Sequence, residues 1–311
     1  MNNTTALLPD STAGPWGKAM YAFLAEKQRR SGSDRTVQGY SGMLRHFFGT
    51  MGRTPDKVSS QEVFTWAYSP GLSRVTPSST TIGARIACLS SFYKFLIRMS
   101  LVTANPCDRL ERPRARTSTP RGLTADDVRR LLAVIPNTNV GLRDKAIVLT
   151  LVLTGRRRAE VLNMTAGDIS LEGASAYYSY RGKGGKTGRR ELPRPALDAI
   201  QQALAAWGMS LETMASGESI WPSGGAGMAG LTSGTFYGHL QRYLKAAGLP
   251  ASGVHIFRHT AAKLRREVGE SVEDVSLFLD HSSLAVTSVY LKRLEGQEDR
   301  SWSKVAEVIG M

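Results

Sequence analysis

The chain has 311 residues, a length that favours two domains of ordinary size over one large domain. Hydrophobic residues make up 41% and charged residues 21% of the sequence, and this composition excludes an intrinsically disordered chain. The 40 lysines and arginines outnumber the 26 aspartates and glutamates and give a formal net charge of +14. The expected partner is therefore a polyanion, either a nucleic acid or an anionic membrane surface.

Residues 1–112 predict a small all-helical domain, because apolar side chains recur there at helical spacing. Ser59 and Glu62 form a capping box before a short helix, and a longer helix is predicted over about residues 80–100. The basic residues of that helix lie off its apolar face and could meet water or phosphates: Arg85, Lys94 and Arg98. The predicted apolar faces consist of Trp16, Met20, Phe23, Leu24, Val37, Tyr40, Leu44, Phe47, Phe48, Met51, Val63, Trp66, Ile82, Ile86, Leu89, Tyr93, Leu96 and Ile97.

The two cysteines and the apolar runs indicate the compartment. Cys88 and Cys107 belong to no Cys-x-x-Cys or Cys/His cluster, so we expect small apolar thiols in a reducing cytoplasm. The longest strongly apolar run, residues 146–153, is much shorter than the about 20 residues that a membrane-spanning helix requires. The N-terminus lacks the basic start and apolar stretch of a secretory signal.

A basic linker is predicted to follow the helical domain, up to about residue 122. Prolines and arginines dominate the stretch 105–122, and proline both stiffens a chain and interrupts helical hydrogen bonding. Arg114 and Arg116 either follow a nucleic-acid backbone or simply keep the linker soluble. The sequence favours neither interpretation.

Residues 123–311 predict a mixed α/β domain, which makes the whole chain mainly α with a small sheet (α+β). Thr124 and Asp127 form a capping box, and an apolar helix over 143–154 ends at Gly155. Alternating aromatic residues before a glycine-rich turn predict a β-hairpin over 174–180 and 189–192. Further helices are predicted over residues 195–208, 233–248 and about 258–269.

Two segments of this domain carry cations suited to a phosphate. Arg157 follows a glycine break at a predicted helix start, where the positive helix terminus favours an anion, although consecutive arginines are more often a solvated charge run. Lys183 and Lys186 lie at the hairpin tip, where a lysine can give up a proton or simply keep a turn soluble. The hairpin is no nucleotide-binding P-loop, because Tyr180 stands where the first glycine is required.

Two further segments lie near the C-terminus. His255 and Arg258 are three positions apart at a predicted helix start, so both side chains could face one anion. His281 precedes Tyr290 by nine positions. A phenol has an ordinary pKa of about 10 and attacks phosphorus only where nearby cations favour the phenolate. Each of these residues, taken alone, is more often structural.

The four segments together, in this order, resemble the motifs of the tyrosine recombinase family, the bacterial Xer recombinases and phage integrases. Residues 154–160 match the family's Thr-Gly-Leu-Arg-x-Ser-Glu, and residues 182–184 match its Gly-Lys-Gly hairpin, which selects Lys183 over Lys186. Residues 255–260 match its His-x-Leu-Arg-His-Thr with phenylalanine for leucine, and the end matches its Leu-Gly-His…Tyr. The resemblance covers nearly the whole chain and implies these catalytic residues: Arg157, Lys183, His255, Arg258, His281 and Tyr290.

Three positions depart from the family pattern. Arg156 replaces the usual leucine, Ala159 replaces the serine, and Asp280 replaces the glycine before His281. None of them removes a reacting group. Arg156 does place a possible competing cation beside Arg157, and Asp280 bears on how His281 is positioned.

The resemblance implies a helical core-binding domain and a catalytic domain that form a C-shaped clamp around DNA. Tyr290 would attack the scissile phosphate, form a 3′-phosphotyrosyl bond and release a 5′-hydroxyl, with Lys183 as general acid and Glu160 as an orienting group. The arginines would neutralise the developing charge, so no metal or cofactor is expected. The expected DNA-binding residues are Arg85, Lys94, Arg98, Arg114 and Arg116.

The expected partners are double-stranded DNA with paired, inverted-repeat half-sites and further copies of the chain, up to a tetramer. The 21 residues after Tyr290 would dock on a neighbouring protomer or, alternatively, pack on their own domain. The resemblance also allows a second recombinase or an accessory protein, in the cytoplasm and on the nucleoid. Two rival interpretations are a non-catalytic DNA-binding protein on the same scaffold and a type IB topoisomerase. Dimer resolution, integration and transposition all stay open as biological roles.

Overall fold

The backbone divides into two units, residues 1–118 and 119–311, and the division falls inside the stretch predicted as a linker. The structure is a computed structural model that describes residues 14–71, 75–113, 122–181, 187–223 and 230–280. Each unit has its own hydrophobic core. Within these described ranges, every helix is too short or too polar to cross a membrane.

Four α-helices dominate the described part of the first unit: α1 (Gly14–Ser31), α2 (Asp34–Met51), α3 (Ser60–Tyr68) and α4 (Ser79–Arg98). Serine hydroxyls begin three of them, because Ser33, Ser59 and Ser78 each accept a hydrogen bond from a backbone N–H of the first turn. The predicted capping box of Ser59 and Glu62 is confirmed.

The core of the first unit consists largely of the predicted apolar faces. Aromatic rings meet edge to face at its centre, with centroids 5.2 Å apart for Phe23 and Phe92 and 5.0 Å apart for Phe47 and Trp66. Ile97 departs from the prediction: it lies one residue before the end of α4 and is 38% exposed.

The two cysteines lie buried in this core as free thiols. Burial raises the pKa of Cys88 and the pKa of Cys107 to about 12. Both thiols therefore stay protonated and unreactive at neutral pH. Their predicted role as small apolar residues is confirmed.

The second unit contains seven described α-helices: α5 (Ala125–Val134), α6 (Asn139–Thr154), α7 (Arg158–Leu162), α8 (Arg194–Ala206), α9 (Ser233–Ala246), α10 (Ile256–Glu267) and α11 (Val272–Phe278). The predicted capping box of Thr124 and Asp127 begins α5. α6 carries most of its side chains into the core and packs against α8 and α10.

The N-terminal end of α6 differs from the sequence-based prediction. The helix begins at Asn139, four residues before the predicted start, and its charged residues Arg143 and Asp144 are 1% and 0% exposed. Asp144 pairs with Arg143 at 2.8 Å, accepts a hydrogen bond from the Tyr243 hydroxyl at 2.9 Å and lies 2.6 Å from Nδ1 of His239. These charges can be buried because they are paired.

A three-stranded antiparallel sheet, in the order β1-β2-β3, completes the second unit: β1 (Ile169–Glu172), β2 (Ser175–Arg181) and β3 (Thr187–Glu191). β2 and β3 are the predicted hairpin, whereas β1 was not predicted. The register pairs Tyr178 with Arg190 and Tyr180 with Gly188, so these residues share one face of the sheet. The predicted fold class, mainly α with a small sheet, is confirmed.

Candidate active site

The site begins at the sharp turn between α6 and α7. Gly155 ends α6 with φ of 60° and donates its N–H to the Leu151 carbonyl at 3.0 Å. A Cβ at Gly155 would lie 2.6 Å from Cε1 of Phe278 and 2.8 Å from Cδ2 of Leu279. Only glycine fits both the left-handed conformation and this close approach. The turn brings Arg157 to the N-cap of α7.

Glu160 fixes the position of Arg157. One oxygen of its carboxylate accepts the Arg157 backbone N–H at 3.0 Å, and the other accepts from Nη1 of the Arg157 guanidinium at 2.8 Å. The Glu160 side chain is 5% exposed, whereas the Arg157 side chain is 34% exposed. The arginine is thus held at its base and accessible to an anion, as an orienting role for Glu160 requires.

Arg258, in the first turn of α10, lies beside the same turn. It is buried, its Nη1 donates to the Gly155 carbonyl at 2.8 Å, and its Nη2 donates to the Leu279 carbonyl. Burial, followed by the nearby charges of Arg157 and Arg156, lowers the pKa of Arg258 to about 10. The guanidinium is therefore still charged at neutral pH. Two arginines from segments about a hundred residues apart meet here.

His255 stands at the N-cap of α10, within the field of both arginines. Its side chain is exposed, and its ring meets that of His259 edge to face at 5.2 Å. Partial desolvation, and then the charges of Arg258, Arg157 and Arg158, lower the pKa of His255. The imidazole is therefore largely neutral at pH 7 and can donate or accept a proton. Arg157, His255 and Arg258 are called the basic cluster below.

Asp280 links the end of α11 to the turn and to the sheet. Its carboxylate accepts hydrogen bonds from Arg156 Nη1, from the Tyr180 hydroxyl at 2.6 Å and from Arg190 Nη2 at 2.8 Å. Partial burial raises the pKa of this carboxyl, but the hydrogen bonds from Tyr180 and Arg156 outweigh it and lower the pKa to about 2. Asp280 is therefore ionised throughout the physiological range.

Arg156 forms a specific ion pair rather than competing with Arg157. Its side chain is 1% exposed and bonded to Asp280, and its guanidinium lies 4.4 Å from the centre of the Tyr180 ring. The expectation that Arg156 adds a possible competing cation beside Arg157 is corrected: its charge is paired within the protein.

Other predicted site residues have different surroundings. Arg85 donates from Nη1 to the carbonyls that end α3, at 3.2, 3.0 and 2.6 Å, while Arg98 pairs with Glu26 and Lys94 is exposed. Contact of these three residues with DNA stays a prediction. The following predicted residues lie outside the described ranges: Lys183, His281, Tyr290, Arg114 and Arg116.

Tyr180 and Arg190 contribute to the site without having been predicted. Period-two alternation in β2 places Tyr178 and Tyr180 on one face, which was a usable signal. The partner on β3 depends on the register, and the contact with Asp280 joins residues 90 to 100 positions apart. Neither can be deduced from local sequence patterns.

Residues 121–296 match the model of the phage integrase family, more than half of the chain. The chain belongs to the phage integrase family. The resemblance to tyrosine recombinases is thereby confirmed, and the protein is a tyrosine recombinase of the site-specific class.

Curated relatives of this recombinase match over most of their length. The tyrosine recombinase XerD of Shewanella oneidensis is 28% identical over 277 residues, which cover 86% of this chain and 90% of XerD. The tyrosine recombinase XerC of Mycobacterium tuberculosis is 28% identical over 267 residues, which cover 83% of this chain and 88% of XerC.

Two solved structures share the fold of this recombinase. A lambda integrase dimer bound to a core site matches with a TM-score of 0.65 and 19% identity, over 90% of this chain and 96% of the integrase chain. A XerH site-specific recombinase bound to a palindromic difH substrate matches with a TM-score of 0.66 and 17% identity, over 99% of this chain and 92% of XerH.

Proposed function

We propose that this recombinase cuts and rejoins double-stranded DNA through a 3′-phosphotyrosyl bond at Tyr290. The observation that carries the proposal is the basic cluster, in which Arg157 and Arg258 come together from separate segments of the chain. Each supplies a guanidinium whose charge suits the oxygens of one phosphate. The neutral His255 beside them can hold or transfer a proton.

The cluster suits the charge that develops during phosphoryl transfer. The Tyr290 oxygen forms a bond to phosphorus while the bond to the 5′ oxygen breaks, and negative charge grows on the non-bridging oxygens. Arg157 and Arg258 stabilise this charge, and they do so without reorganising because Glu160 and the Gly155 carbonyl already hold them. The arginines supply the positive charge that the step requires, so the proposed step uses no metal ion.

Proton transfers complete the proposed cycle. In cleavage, neutral His255 accepts the proton of the Tyr290 phenol, Lys183 gives a proton to the leaving 5′ oxygen as general acid, and His281 hydrogen-bonds to a phosphate oxygen. In the rejoining step a 5′-hydroxyl of the partner strand gives its proton back to Lys183 and attacks the phosphotyrosine, and Tyr290 leaves with the proton that His255 returns. These roles rest on the match to the family's motifs at these positions.

Trapping the covalent intermediate tests this proposal. A nicked suicide substrate lets the cleaved fragment diffuse away, so the wild-type chain should accumulate a protein–DNA adduct. Tyr290→Phe should form none while binding the same DNA, and Tyr237→Phe, at an exposed tyrosine of α9, should behave like the wild type. Adducts that persist in Tyr290→Phe would refute the assignment.

A comparison of rate with affinity tests the basic cluster. Removing the charge of Arg157 or of Arg258 should slow adduct formation by on the order of 10³-fold, because charge clamps contribute that much in other phosphoryl transfers. DNA affinity should change little, because it is spread over many phosphates. Arg194→Ala, at an exposed arginine of α8, is the matched control. Equal losses of binding and cleavage would indicate a mainly structural role for the arginine.

The assembly belongs to the same proposal. We expect a tetramer on two DNA sites with inverted half-sites, with or without an accessory protein, acting in the cytoplasm on the nucleoid. The net charge of +14 and the fold shared with DNA complexes of lambda integrase and XerH support DNA as the partner. A chain truncated before Trp302 should lose cooperative synapsis of two sites. Unchanged synapsis would remove the proposed docking of the tail on a neighbour.

A further inference from the structure

Two of the three positions at which the motifs depart from the family pattern contact each other. Arg156 stands where the resemblance expects leucine, and Asp280 stands where it expects glycine. Their side chains form an ion pair between positions 124 residues apart in the sequence. The two departures therefore occur together, and Asp280 is shared between Arg156 and Arg190.

The pair joins the backbone on both sides of the basic cluster. Nη2 of Arg156 donates to the Phe278 carbonyl, and its Nε donates to the Thr154 carbonyl at 3.4 Å. Arg258 spans the same gap, because it donates to the carbonyls of Gly155 and Leu279. Two guanidinium groups, side by side, thus hold the segment 278–280 against the turn that presents Arg157.

The sheet completes the arrangement around Asp280. The Tyr180 hydroxyl donates to the carboxylate, and Arg190 donates both to it and to the Leu277 carbonyl at 2.9 Å. Asp280 has a φ of 50°, a left-handed conformation that is unfavourable for an aspartate and readily adopted by a glycine. The hydrogen bonds compensate for a conformation that glycine would adopt freely.

We propose that Arg156 and Asp280 act as one positioning pair, which locks the turn of Arg157 to the segment 278–280 so that Arg157 and Arg258 meet the phosphate together. The inference rests on the proposed function and adds the way in which this chain orients its arginines. Asp280 also precedes the predicted catalytic His281 directly in the sequence. Leucine and glycine at these positions would keep the bonds of Arg258 to the Gly155 and Leu279 carbonyls and lose those of the pair.

A double-mutant cycle tests the pair. The variants are Arg156→Leu, Asp280→Gly and the double variant, which has the leucine and glycine of the family pattern. Asp198→Asn breaks an exposed pair with Arg194 on α8 and is the control. For each variant we would measure DNA affinity, melting temperature and the single-turnover rate of adduct formation at saturating DNA.

Each single variant should form the adduct more slowly by on the order of 10²-fold, as small misplacements of catalytic groups do. Its DNA affinity should stay near that of the wild type. The double variant should lose no more rate than the slower single variant, because either single change already breaks the link between Arg156 and Asp280. A double variant whose rate loss equals the product of the single losses would overturn the proposal. So would parallel losses of rate and DNA affinity, which indicate a structural role.

Two milder variants keep the test decisive if a single variant does not fold. Asp280→Asn keeps the side-chain volume and removes the charge, and Tyr180→Phe removes one hydroxyl donor to Asp280. Slower adduct formation in either variant at unchanged affinity supports the pair, and wild-type rates in both overturn it. A wild-type chain that forms no adduct would refute the proposed function itself. Wild-type adducts at Tyr290 with unaffected variants would refute the pair alone.

Discussion

Replacing Gly155 with alanine tests the packing that holds the site together. The left-handed backbone costs a residue with a Cβ about 1–2 kcal/mol, and an overpacked contact costs about 1–3 kcal/mol more. At Gly155 both apply, since φ is +60° and the new Cβ would lie 2.6 Å from Phe278 and 2.8 Å from Leu279. We expect the free energy of unfolding to fall by about 2–5 kcal/mol.

Gly173 provides a matched control for this substitution. It lies in the turn between β1 and β2 with the same φ of +60°, and a Cβ there would meet no atom within 4 Å. Gly173→Ala should therefore lower the free energy of unfolding only by the cost of the left-handed backbone conformation, about 1–2 kcal/mol. Urea unfolding of both variants measures the difference. Equal losses of stability would refute the reasoning that Gly155 is required by close contact with residues 278–279.

Three further predictions follow from the geometry. Asp144→Asn should lower the free energy of unfolding by about 3–5 kcal/mol in urea titrations, because it leaves buried Arg143 without its ion-pair partner. Asp198→Asn, which removes an exposed ion pair, should lower it by at most about 1 kcal/mol. Equal losses in the two variants would contradict this reasoning. The pKa of His255 should lie below its ordinary value of 6.5 in an NMR titration. Because the folded state then binds the proton less tightly than the unfolded state, the free energy of unfolding should fall as the pH falls through 6.5. A titration midpoint above 6.5 would contradict the described environment of His255. Arg85→Met should destabilise the first unit by about 1–3 kcal/mol, because it removes the hydrogen bonds of Arg85 to the carbonyls at the end of α3. Lys94→Met, at an exposed residue of α4, should leave the melting temperature unchanged. The opposite ranking would show that Arg85 is not a structural residue.

Local sequence patterns predicted the helix starts and the strand that depend on residues close together in the chain. The capping boxes at Ser59 and Thr124 and the alternation of aromatic residues in β2 each depend on residues a few positions apart. β1 was missed because it is only four residues long and half-exposed. The start of α6 was missed because the first four residues of the helix include Asn139 and Gly141, which have low helix propensity.

Three of the six predicted catalytic residues lie in the described ranges, and the contacts around them could not be predicted. The family motifs selected Arg157, His255 and Arg258, and the structure brings these three together. The bonds of Asp280 with Arg156 and with Tyr180 depend on tertiary packing across 100 or more positions. For that reason the sequence alone suggests a competing cation at Arg156 and does not reveal its ion pair with Asp280.

The central claim is that Tyr290 becomes bonded to phosphorus held by the basic cluster. The most direct measurement is mass spectrometry of a tryptic digest of the wild-type adduct on nicked DNA. Cleavage after Arg266 and Lys292 yields a peptide of residues 267–292, in which Tyr290 is the sole tyrosine. The account predicts that the nucleotide mass lies on Tyr290 of this peptide and that Arg157→Ala forms much less of the modified peptide in the same reaction time. A nucleotide attached to any other residue, or an unmodified peptide in a reacting enzyme, would contradict it.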